Sequence, residues 1–115
     1  MKWHTTISID ESSPDKVSME VEINASSPWY SGHFPNDPVL PGIAQIAMAF
    51  EAIKHLKGED VKITEVKKIR FKQIIRPNDR LIITVSPGKG NAYKFSILLK
   101  GELACNGILS VEHAG

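Results

Sequence analysis

The chain has one cysteine, Cys105, among its 115 residues. No disulfide can close within it, so folding energy has to come from an apolar core, and the usage fits a reducing cytoplasm. Charge of either sign is not in excess. The net charge is +1, which excludes the strong field of a nucleic-acid or membrane-surface binder. Aromatic residues are few, 7%, and too sparse beside the basic residues to build a stacking platform for single strands. No apolar run reaches the roughly 20 residues that span a bilayer. The opening "MKWHTTISIDE" lacks the apolar centre of a signal peptide. Cysteine and histidine do not cluster at metal-ligand spacing, so neither a metal nor a cofactor is expected. Repeats, low-complexity tracts and linkers are absent too, which leaves one domain over 1–115.

What is present is the balance of an ordinary globule, 42% hydrophobic and 23% charged. A chain this short buries only a small core and gains by pairing with a second copy. "TISID" (6–10) alternates weakly, and "ESSPD" (11–15) is turn chemistry. In "KVSMEVEINA" (16–25), Val17, Met19, Val21 and Ile23 share one face, the pattern of a half-buried strand. Residues 26–42, "SSPWYSGHFPNDPVLPG", form a long irregular loop. Loops of that length inside compact domains are usually functional, and Trp29, Tyr30 and Phe34 argue for packing. Residues 42–57 read as a helix, apolar nearly all round at its start, so other structure should wrap it. Gly58 is its stop. Strands follow at 61–77, 80–87, 92–100 and 102–113, with turns at "PND" (77–79) and "GKGN" (88–91). The order predicts an α+β fold, an antiparallel sheet wrapped around one helix.

Three prolines, Pro35, Pro38 and Pro41, stiffen the loop between His33 and that helix, and Gly42 follows directly. "GHFPNDPVLPG" ahead of an apolar helix resembles the 3-hydroxyacyl-acyl-carrier-protein dehydratases, which have the hotdog fold. "FKQIIRPNDRLIITV" (71–85) resembles their strand–turn–strand segment, and the order of elements agrees over about 16–113. The resemblance implies that His33 is the catalytic base, oriented by the backbone carbonyl of Val39. It implies that the Gly42 N–H holds the thioester carbonyl. It also implies a homodimer whose sites are built from both subunits.

Each residue has a plainer reading beside this one. Imidazole is a good base near neutral pH, yet His33 also reads as a loop histidine packed under Trp29 and Phe34. Prolines lower the entropy cost of fixing such a loop, and a glycine lets the backbone approach a ligand closely. The family carries its acid on the helix fourteen residues after the histidine. Here that residue is Ala47, which has no proton to give. Glu51 stands one turn further on, roughly 40° around the axis from Ala47, where the family often has a glutamine. It is the candidate acid. Its alternative is a solvated residue paired with Lys54 or His55. Gln45 reads as a core amide or as a holder of water, Asp37 as a turn residue, and Cys105 as a packed thiol. His4 and His113, near the ends, carry no signal. Lys67, Lys68, Arg70, Lys72, Arg76 and Arg80 concentrate around one strand pair. They form either a solvated face or a dock for an acidic carrier protein or the phosphates of coenzyme A.

The expected activity is dehydration of 3-hydroxyacyl chains on acyl carrier protein, or of coenzyme A thioesters, to trans-2-enoyl products. Two alternatives stay open: hydrolysis of the thioester, and a non-catalytic acyl-binding subunit whose partner supplies the acid.

Overall fold

The computed structural model describes residues 3–13, 15–25 and 39–114. Two strands, β1 (His4–Ser13) and β2 (Lys16–Ile23), precede the single helix α1 (Gly42–Lys57). Four more follow: β3 (Val61–Phe71), β4 (Arg80–Pro87), β5 (Ala92–Leu99) and β6 (Glu102–His113). All six strands join one antiparallel sheet in the order β1-β2-β4-β5-β6-β3. The expected α+β hotdog arrangement is what forms, a sheet curled around one helix.

Alternation decides the inner face. Val17, Met19, Val21 and Ile23 of β2 are buried, and Leu81, Ile83 and Val85 of β4 join them. Their register places Val21 opposite Leu81 and Met19 opposite Ile83, so both strands present apolar side chains to the same side. Against that surface α1 lays Ala44, Met48, Ala49, Ala52 and Ile53. Three alanines on the covered face let the helix axis come close to the sheet. The curl comes from the outer strands. Register shifts fall at Thr6/Ser8 and Asp10/Ser13 in β1, and at Ile63/Glu65 and Lys67/Arg70 in β3. Each inserts one extra residue, which bends a strand and raises its twist. At the second β3 shift, Lys68 adopts a φ of 57°.

The sequence expectations hold for α1 to the residue. Three others change. β1 runs on through Glu11–Ser13 because Ser13 pairs with Lys16 across a tight hairpin. β3 ends at Phe71 instead of Pro77, because Lys72 and Gln73 both direct their N–H to the Ala104 carbonyl, at 2.8 and 3.3 Å. The chain thereby leaves the ladder and crosses toward the other edge. There Ile75 accepts from the Leu40 N–H at 2.8 Å, and the Asn78 N–H reaches the Ile23 carbonyl at 2.8 Å. Third, α1 is not wrapped on all sides. Ile43 is 69% exposed, since a single sheet covers only one side of a helix.

Cys105 is a packed thiol as expected. It is fully buried, and burial pushes its pKa up to about 11. At pH 8 the reactive thiolate is then about one part in a thousand. Iodoacetamide at pH 8 should leave the native protein unlabelled and modify it quantitatively in denaturant. Rapid labelling of native protein, followed by mass spectrometry, would contradict this packing.

Candidate active site

Helix α1 begins without a side-chain cap. Pro41 occupies the cap with extended backbone, and the first turn holds no acidic residue. The first intrahelical bond runs from the Ala44 N–H to the Pro41 carbonyl at 3.1 Å. The N–H groups of Gly42 and Ile43 therefore lie ahead of the ladder at the positive end of the helix, suited to a negative or polarised oxygen. Gly42 is there because of a close approach. A Cβ at this position would stand 2.5 Å from Cζ of Phe71. The Phe71 ring, on the last residue of β3 and 52% exposed, thus closes over the start of the helix.

Along the helix, Ile43, Ala47 and Glu51 follow one another at four-residue steps on the side away from the sheet. Ala47 and Glu51 are half-buried there. Lys54 contacts Glu59 at 3.7 Å and His55 contacts Glu11 at 3.1 Å. One partner of Glu51 is His4: Nε2 of His4 lies 2.5 Å from Oε2 of Glu51. The imidazole is 2% exposed and the carboxylate 33%.

Strand register explains how a residue so near the start of the chain reaches the helix. His4 pairs with Ile23, and residues directly opposite on antiparallel strands share a face. Ile23 points into the core, so His4 does too. The Trp3 indole meets the imidazole edge-on, with centroids 4.6 Å apart. The Asn24 N–H binds the Trp3 carbonyl at 3.3 Å, and the Thr5 hydroxyl donates to Asn24 Oδ1 at 2.9 Å. Sequence reasoning dismissed His4 as a terminal residue. The sequence held no signal for it, because alternation in "TISID" sets Ile7 and Ile9 on one face and His4 on the other with Thr6 and Ser8, and the register shift at Thr6/Ser8 leaves both isoleucines exposed.

Of the expected site residues, the structure places Gly42 and Glu51 on the one helix, about two and a half turns apart. His33, with the rest of the 26–38 loop, lies outside the described residues. Gln45 is buried and its amide N–H donates to the Leu40 carbonyl at 3.4 Å. Its Oε1 has no partner among the described residues, so the core amide is half satisfied. The basic residues do not share a strand pair, because β5 and β6 separate β4 from β3. Arg80 contacts Glu22 at 3.2 Å and Lys67 contacts Glu65 at 3.5 Å. Lys68, Arg70 and Lys72 instead join Lys94 around a groove of about 280 Å³ floored by Phe95 and Ile108. Among the described residues no three His, Cys, Asp or Glu side chains gather as a metal site would need.

Residues 9–108 match the ApeI-like family, described as ApeI dehydratase. The chain belongs to that family. The 3-hydroxyacyl-[acyl-carrier-protein] dehydratase FabZ of Caldicellulosiruptor saccharolyticus is 33% identical over 114 residues, covering 90% of this chain and 80% of that protein. The corresponding FabZ of Caldicellulosiruptor bescii is 32% identical with the same coverage. Among solved structures, one described as the dehydratase heterocomplex ApeI:P from Xenorhabdus doucetiae superposes with a TM-score of 0.86. It is 21% identical and covers 96% of this chain and 98% of its own. An (R)-hydratase from A. caviae involved in PHA biosynthesis superposes with a TM-score of 0.68 at 14% identity, covering 85% of this chain and 93% of its own. These superpositions fix the fold as hotdog.

The Gly42–Phe71 approach is open to a direct test. Gly42→Ala should destabilise the protein because the Phe71 ring has to move, and Phe71→Ala should remove most of that penalty. In a double-mutant cycle by urea denaturation the coupling should fall within about 0.5–3 kcal/mol. Additive effects would mean that the ring does not close on the helix start.

Proposed function

We propose that this protein catalyses dehydration of 3-hydroxyacyl thioesters on acyl carrier protein, giving trans-2-enoyl thioesters, and that it acts in the cytoplasm. The observation that carries the reading is the family match over residues 9–108. Dehydration needs a base at C2, a donor at the thioester oxygen and an acid at the C3 hydroxyl. His33 takes the C2 proton as neutral imidazole. The Gly42 N–H, at the uncapped start of α1, meets the charge that develops on the thioester oxygen. Glu51 gives a proton to the hydroxyl as the C3–O bond breaks, and water leaves. Ala47 clears the helix face in front of that carboxyl group. The groove of Lys68, Arg70, Lys72 and Lys94 suits the acidic surface of a carrier protein, an attraction that weakens with salt.

Two subunits of this chain would build the site. β3 is an outer strand, exposed along nearly its whole length, and Ile43 on the open side of α1 is 69% exposed. A second copy covers both and adds core to a small domain. A second reading has one specific observation behind it. Ala47 lacks a proton donor, and a structural neighbour is described as a heterocomplex. Under that reading the chain is one half of a pair whose partner supplies the acid.

Enoyl formation and free-thiol release measured on one 3-hydroxyacyl thioester separate these readings. His33→Ala and Glu51→Gln should each lower enoyl formation by about 10²–10⁴-fold. Ala47→Glu should keep or raise it. Thiol release without enoyl product would favour hydrolysis, and activity appearing only in Ala47→Glu would favour the half-pair reading. Light scattering at micromolar concentration should give the mass of a dimer of this chain. A stable monomer would remove the shared site.

A further inference from the structure

Several cations on the strands are matched with carboxylates. Lys62 contacts Glu112 at 3.4 Å, Lys67 contacts Glu65 at 3.5 Å and Arg80 contacts Glu22 at 3.2 Å. Lys68, Arg70, Lys72 and Lys94 differ. Among the described residues no carboxylate contacts any of these four, and all four line one groove of about 280 Å³.

A bulge brings them there. Lys67 pairs with Ile108 and Arg70 with Asn106, so Lys68 and Ile69 together stand opposite the single Gly107. Unbroken alternation from Lys67 would turn Arg70 and Lys72 to the helix side. The extra residue resets the phase. Ile69 turns inward against Gly107 and the core, and Arg70 and Lys72 turn outward. Lys68 takes a φ of 57°, a left-handed conformation that a lysine adopts at a cost. Outliers of this kind gather at ligand clamps. On the same outer face Lys94 stands opposite Ile108, which gives the groove an apolar floor. Asn106 is the next outward residue of β6. Its Oδ1 is buried without a partner among the described residues, which leaves the amide nitrogen as the group a ligand can meet.

A groove rimmed by four cations and lined by no carboxylate takes an anion. Charge and shape decide which one. A lone phosphodiester carries a single negative charge, fewer than the cations around it. Coenzyme A carries a diphosphate and a phosphate monoester, roughly four negative charges near neutral pH. Its adenine ring is flat, and Ile108 offers an apolar seat. The Arg70 guanidinium is a planar fork suited to phosphate oxygens. The groove is at the small end of ligand clefts and far below the area of a protein–protein contact. The acidic surface of a carrier protein answers the same charge at the rim, while the interior is sized for a nucleotide.

We propose that Lys68, Arg70, Lys72 and Lys94, with Asn106, form a binding site for the phosphates of coenzyme A, so that this chain also takes acyl groups delivered as coenzyme A thioesters. The inference rests on the thioester reading for the acyl end only. Lys72 directly follows Phe71, whose ring meets Gly42, so the groove and the start of the helix are neighbours across one strand.

The test is an NMR titration of ¹⁵N-labelled protein with free coenzyme A at low salt, repeated with pantetheine, which has no phosphate, and with acyl carrier protein. Coenzyme A should shift the amides of residues 68–72, 94 and 106–108, and pantetheine should not. Arg70→Gln and Lys94→Gln should each weaken coenzyme A binding by about three- to tenfold. In kinetics, one 3-hydroxyacyl group is presented on coenzyme A and on N-acetylcysteamine, which also lacks phosphate. Arg70→Gln should lower the ratio of the two kcat/KM values by the same factor, through KM. Equal binding of pantetheine and coenzyme A overturns the site, as do shifts confined to other residues. Shifts at these residues from acyl carrier protein alone overturn it too, and assign the groove to a protein surface. Coenzyme A binding in the groove with no enoyl product from any thioester leaves the site standing and removes the dehydration reading. Enoyl product without coenzyme A binding in the groove does the reverse.

Discussion

One helix has to be covered by one sheet, and the rest of the molecule follows from that. Helix α1 carries apolar side chains on two sides. Ala44, Met48, Ala49, Ala52 and Ile53 go under the sheet, Ile46 and Phe50 pack half-buried against that core, and Ile43 stays exposed. Burial of apolar area contributes about 25 cal/mol per Å², so the sheet curls as far round the helix as its strands allow. The curl is concentrated where strands have a free edge. β1 and β3, at the two ends of the strand order, each carry two register shifts, whereas β2 and β4 pair with none. Bulges at sheet edges also discourage unwanted strand pairing.

The uncovered side of α1 is where chemistry becomes possible. Residues on it are held by the helix yet are accessible, which is what a reacting group requires. Two devices join this side to the sheet. The chain between β3 and β4 crosses beneath the helix start, tied by Leu40 to Ile75 and by Asn78 to Ile23, and it sets Phe71 over Gly42. At the other end, β1 delivers His4 to Glu51. Leaving the buried imidazole unsatisfied would cost about 1–3 kcal/mol, so the pair fastens the first strand to the helix.

The proposed reading of Glu51 as the acid of the dehydration rests on its place beside Ala47. Ala47 and Glu51 share one line of the open face, a single turn apart. Moving a carboxyl group by one turn shifts its root by about 5.4 Å, and a longer reach across the small alanine side chain partly offsets that.

Local patterns determined much of this protein. Period-two alternation in 16–23, the apolar run after Gly42 and the stop at Gly58 are properties of short segments, so β2 and α1 were legible without any tertiary information. The loop motif around His33 and the absence of an acid at Ala47 were equally plain in the sequence. Three features depended on the assembled fold. Residues 72–76 have strand-like composition, but the hydrogen bonds of Lys72, Gln73 and Ile75 go to Ala104 and Leu40, partners that only the closed sheet brings near. The basic residues look like one cluster in the chain, yet the strand order separates β3 from β4. Last, His4 and Glu51 are 47 residues apart, and no local rule joins them. Their contact exists because register turns His4 inward with Ile23, and because the edge strand curls far enough to meet a helix that the sheet covers on one side only.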